Sequence, residues 1–120
     1  MLEKTMMEVF PEMMVLAEKI EIVIPSTVNV NEKADTEKYV TEAEKVLSGM
    51  FGGATAVKAH GSYLADNGDL VMESVTKVYA FADKITEEKM VKVLQFVKKM
   101  KEELMQECIG MEVNGKFYLV

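Results

Sequence analysis

With 120 residues and a mass of 13.5 kDa, the chain has room for one domain, and folding at this length buries roughly two thirds of the extended surface. Hydrophobic residues make up 49% and charged residues 28%, which excludes the composition of a disordered chain. The net charge is −6 and all 14 basic residues are lysine, so the arginine that usually provides bidentate contacts to phosphate and guanine is missing, which argues against nucleic-acid recognition.

The first stretch, "MLEKTMMEVFPEMMVLAEK", interrupts its apolar residues with Glu3, Lys4, Glu8 and Glu12. It therefore reads neither as a secretion signal nor as a membrane span. Pro11 suits the first turn of a helix, predicting one over Pro11–Lys19. Residues 1–19 are expected to form a helical extension to a domain at 20–120. Met6, Met7, Met13 and Met14 repeat at a spacing of seven, and with Phe10 they outline an apolar helix face for interaction rather than a copper site.

"IEIVI" alternates Ile20, Ile22 and Ile24, as a half-buried strand does. "DTEKYVTEAEKVLSGMFGG" predicts a helix capped at Asp35 or Thr36, with one core face of Tyr39, Val40, Ala43, Val46, Leu47, Met50 and Phe51. Gly52-Gly53 follows that helix and precedes a strand. A phosphate-binding loop runs the other way, from strand into helix, so these glycines are read as a helix terminator.

"ATAVKAHGSYL" and "LVMESVTKVYAFA" form a strand pair around Asn67-Gly68. A two- or four-residue loop places Ser62 opposite Glu73, His60 opposite Val75 and Lys58 opposite Lys77; a three- or five-residue loop changes these partners. The even-length register gathers Lys58, His60, Ser62, Glu73, Lys77, Tyr79 and Phe81 on one mixed polar and aromatic face. That face is expected to be the open side of the sheet, available to a ligand or a second copy.

A second helix follows Thr86, with acids early, lysines late, and apolar Met90, Val93, Leu94, Val97, Met100 and Leu104. "GMEV" and "KFYLV" close the chain as a hairpin turned by Asn114-Gly115. The order β-α-β-β-α-β predicts an α+β fold, a ferredoxin-like two-layer sandwich with an additional C-terminal hairpin strand and the N-terminal helical segment.

No constellation of residues here specifies catalysis. His60 and Cys108 are each the only residue of their kind, without the local signature of a cysteine nucleophile, and together too few to hold zinc. His60 with Glu73 reads as a surface cross-strand pair rather than an acid–base pair. No catalytic residue, metal or cofactor is expected. The single cysteine fits a reducing, cytoplasmic setting.

The string "FGGATAVKAHGSYLADNGDLVMESVTKVYAF", with "QECIGMEVNGKFYLV", resembles a pattern of small bacterial, plasmid and phage proteins. It is also similar to a bacterial family of unknown function with ferredoxin-like topology. The resemblance spans residues 20–120 and implies the fold without implying any catalytic residue. Together these readings predict a non-enzymatic interaction protein, borne by a phage or mobile element and inhibiting a host defence protein, with a protein or a second copy as partner. The alternative is a small-molecule-binding domain or minor enzyme using the face around His60, Glu73 and Tyr79.

Overall fold

A computed structural model describes residues 1–28 and 32–120. The elements run α1 (Leu2–Val9), β1 (Glu18–Pro25), β2 (Thr27–Val28), β3 (Glu32–Lys33), α2 (Glu37–Phe51), β4 (Thr55–Leu64), β5 (Leu70–Ala82), α3 (Glu87–Glu103), β6 (Gly110–Val113) and β7 (Lys116–Leu119). Five strands make one antiparallel sheet in the order β4-β5-β1-β6-β7. Without β7 this is the sheet of a ferredoxin-like sandwich, and β7 extends one edge.

One sheet face is covered by α2 and α3. Ile20, Ile22 and Ile24 of β1, Val78 and Ala80 of β5, and Met111 of β6 meet Tyr39, Val40, Ala43 and Leu47 of α2 and Val93, Phe96, Val97 and Met100 of α3. Burying a set of this kind, at about 25 cal/mol per Å² of apolar surface, is the main force holding the layers together. The α3 face differs from expectation at two positions. Phe96 is buried, whereas Leu94 is exposed and lines an apolar groove with Met90, Met111 and Tyr118.

The glycine turns behave as their chemistry requires. Gly52 ends α2 at φ 91°, donating its N–H to Ser48 O at 2.9 Å. Asn114 and Gly115 both take positive φ, at 50° and 84°, as a type I′ turn needs.

The amino terminus corrects the expected helix over Pro11–Lys19. The helix present is α1, and it lies before Pro11, not after it. Proline disfavours the helical region for the residue preceding it, and Phe10 leaves the helix at φ −123° and ψ 77°. Glu18 and Lys19 are drawn instead into β1, paired with Ala82 and Phe81. None of the α1 residues is buried.

Candidate functional site

The β4–β5 hairpin is longer than the sheet behind it. β1 runs out opposite Val75, so His60–Leu64 and Leu70–Ser74 project as an arm of roughly 17 Å. Tyr63, Leu64, Leu70 and Met72 on this arm are all more than half exposed.

The turn at its tip sets the register. Ala65 N–H donates to Asp69 O at 2.8 Å and Gly68 N–H to Ala65 O at 2.9 Å, with Gly68 at φ 90°. Asn67 Oδ1 accepts the Asp69 N–H at 3.0 Å and steadies the loop. The three residues Asp66, Asn67 and Gly68 are an odd-length turn, a type I bend closed by a left-handed glycine. His60 therefore faces Ser74, Gly61 faces Glu73, Lys58 faces Thr76 and Val57 faces Lys77, one position away from the even-length register.

That shift divides the expected face in two. Lys58, His60 and Ser62 share the helix side with Thr76, Ser74 and Met72, while Glu73, Lys77, Tyr79 and Phe81 stand on the open side with Val57, Ala59 and Tyr63. His60 and Glu73 are thus on opposite sides of the hairpin and form no pair. The seven residues are not one site, because a one-residue slip reverses every side chain of one strand relative to the other.

On the open side a carboxylate lies at the centre of the sheet. Glu21 is only 5% exposed; it pairs across the sheet with Tyr79 and Glu112, and Lys77 Nζ and Lys19 Nζ stand 3.7 and 3.9 Å from its oxygens. Lys19 also covers the Tyr79 ring at 4.8 Å, and Tyr79 meets Phe81 edge to face at 5.8 Å. Sequence reasoning missed Glu21, although its place between Ile20 and Ile22 in the alternating strand marked it as the open-face residue.

Beyond the start of β4, Ala80–Ala82 pair only with β1, and this leaves a notch at the sheet edge. Phe51, Gly52, Gly53, Tyr79 and Phe81 line it with Leu16, enclosing about 380 Å³. Tyr79 and Phe81 thus join the glycine corner, which has no phosphate-loop geometry but does form the floor of an aromatic recess. Lys89 at this corner donates to Met50 O at 3.1 Å and lies 5.3 Å above the Phe51 ring.

A second, polar recess of about 320 Å³ lies at the other end of α2, at the base of the arm. Lys58, Ser74 and Thr76 of the hairpin face Asp35, Thr36 and Glu37 across it. The other sequence candidates are apart from both recesses. Met6, Met7, Phe10 and Met14 are exposed around α1, Met13 is half-buried, and Cys108 is an exposed free thiol. Among the described residues, no cluster of three His, Cys, Asp or Glu could hold a metal, and no helix is long and apolar enough to cross a membrane.

The fold has solved counterparts. A phage SAM lyase in complex with S-methyl-5'-thioadenosine superposes with a TM-score of 0.61 at 20% identity, covering 86% of this chain and 88% of that one. A phage SAM lyase in the apo state gives 0.61 at 19% identity over 91% and 93%. At this identity the likeness shows the fold. No family model matches the sequence, and no curated protein does.

Proposed function

We propose that the protein binds a small adenosyl thioether or sulfonium compound in the aromatic notch beside Gly52-Gly53. The observation that carries this reading is the likeness, across nearly the full length of both chains, to a phage SAM lyase holding S-methyl-5'-thioadenosine. The notch supports it chemically. Phe51, Tyr79 and Phe81 bring three aromatic rings to its lining, the side chains on which a purine stacks, and about 380 Å³ is within the range of small-molecule sites. The small Gly52, Gly53 and Ala54 leave the approach open.

The test is calorimetry and thermal unfolding with S-methyl-5'-thioadenosine and S-adenosylmethionine. Ligand at 100 times its Kd adds about 2.7 kcal/mol to stability. Phe81→Ala is expected to weaken binding about tenfold or more, because stacking on one aromatic ring contributes about 1–3 kcal/mol. Chromatography of S-adenosylmethionine incubated with the protein then separates a lyase, which releases methylthioadenosine, from a protein that only sequesters its ligand. No stabilisation by either compound at millimolar concentration sinks the reading.

A second reading is favoured by the projecting arm. Leu64, Leu70 and Met72 are apolar and exposed on one side of it and Tyr63 on the other, the character of a surface that meets another protein. On this reading the chain is a phage-borne interaction protein that engages a host defence protein or a second copy of itself, its −6 charge suiting a basic groove. Affinity capture from host lysate by wild type and by a Leu64→Asp, Leu70→Asp variant tests it; a partner held equally by both excludes the arm.

A further inference from the structure

We propose that the recess between the base of the β4–β5 arm and the start of α2 binds the α-amino-acid group, ammonium and carboxylate together, of a small zwitterion. This is independent of the adenosyl thioether reading, whose notch lies at the opposite end of α2, roughly 22 Å of helix away.

The first observation is Thr36. It is the residue before α2, 9% exposed, and it lines the recess. A threonine at this place ordinarily turns its hydroxyl onto the first free N–H groups of the helix, from an extended backbone. Thr36 has φ −102° and ψ 9°, and its side chain caps nothing. Asp35 Oδ1 takes the Glu37 N–H instead, at 3.1 Å. Among the described residues Thr36 Oγ1 has no hydrogen-bond partner, yet no side-chain oxygen there is both enclosed and unsatisfied. The hydroxyl therefore keeps some access to solvent, and Thr36 is one of the residues that line the recess.

The second observation is the charge. Lys58 stands on one wall, Asp35 and Glu37 on the other, and among the described residues none of the three is in an ion pair. A plain anion would be drawn by Lys58 and the positive end of α2 but repelled by the two carboxylates. A plain cation would meet the reverse. A ligand with both charges satisfies both walls, with the carboxylate toward Lys58 and the ammonium toward Asp35 and Glu37. The hydroxyls of Thr36, Ser74 and Thr76 accept from one group or donate to the other. About 320 Å³ is the volume of about ten waters, enough for a side chain attached to that group.

The experiment is a titration of ¹⁵N-labelled protein with each of the twenty L-amino acids and with S-adenosylmethionine, followed by amide shifts. Saturable shifts are expected at Thr36, Lys58 and Ser74 for at least one of these. The corresponding amide, lacking the carboxylate, and the deaminated acid, lacking the ammonium, are each expected to bind about tenfold more weakly or worse. Lys58→Met and Ser74→Ala alter only exposed strand positions, so both variants fold, and each is expected to weaken binding by a similar factor. The proposal is overturned if no compound shifts these amides, if the truncated compounds bind as tightly, or if neither variant weakens binding. S-methyl-5'-thioadenosine, which has neither charged group, is expected to leave Thr36, Lys58 and Ser74 unmoved. Its shifts at Phe51 and Phe81 report separately on the notch.

Discussion

The Tyr39 hydroxyl donates a 2.6 Å hydrogen bond to Glu103 Oε1, tying the first turn of α2 to the last residue of α3. Burial, followed by this bond and the charges of Glu103 and Glu42, pushes the Tyr39 pKa up to about 12. The phenol of an unfolded chain ionises near pH 10. The folded state thus holds the proton more tightly, so this contribution to stability is complete below about pH 10 and is lost as pH rises through about 12. Tyr39→Phe is expected to cost about 1 kcal/mol at neutral pH and to flatten the alkaline decline relative to wild type. Urea unfolding of both proteins at pH 8 and pH 11 measures it.

Glu21 depends on the two lysines that cover it. Lys77→Met leaves a buried carboxylate with one cation, and is expected to lose about 1 kcal/mol, a modest figure because Lys77 itself is half in water. In a Glu21→Gln background the same change is expected to cost little. Chemical unfolding of the four proteins in the double-mutant cycle gives the coupling, and additive losses would show that the lysines do not compensate the charge.

Gly110 is a packing site for Phe117. A Cβ at position 110 would stand 2.5 Å from Cζ of the Phe117 ring on the neighbouring strand. Gly110→Ala is expected to displace that ring and destabilise while Phe117 is present. In a Phe117→Ala background it becomes neutral or stabilising, since alanine suits a strand better than glycine. Thermal midpoints of the four variants decide this.

The open face is expected to self-associate. Val57, Tyr63, Phe81, Phe117 and Leu119 are exposed on it, and aromatic residues in such patches hold most of the binding energy. Phe81→Glu or Tyr79→Glu is expected to dissociate the assembly, whereas Lys45→Glu on the solvent face of α2 leaves it intact. Light scattering coupled to size exclusion reads the mass; a wild-type value of one 13.5 kDa chain at tens of micromolar would contradict the prediction.

Deletion of residues 2–15 is expected to leave the thermal midpoint of the domain within a few degrees of wild type. No residue of that stretch is buried, and only Met13 is half-buried. A loss of more than about 2 kcal/mol would mean that α1 packs on a surface of another copy.

Local chemistry determined a large part of this molecule. Alternating isoleucines, the three-and-four spacing in α2, the acid-to-lysine polarity of α3 and the Asn114-Gly115 turn are each signals that a few neighbouring residues carry, and together they specify the sandwich. The helix at the amino terminus was less legible, because a proline can begin one helix or follow another. Which faces the hairpin residues share was decided only by the folded tip. "ADNGDL" is compatible with loops of even and odd length, and the left-handed Gly68 with its odd count moved His60 opposite Ser74. The two recesses depend on where strands end against helices: the notch exists because β4 starts at Thr55 while β5 continues to Ala82, and the polar recess lies where α2 starts beside the base of the arm, at the end of β1. Spacing along a chain encodes periodicity, but such end effects come from the pairing of segments far apart in sequence, and that pairing is settled by the packed core as a whole.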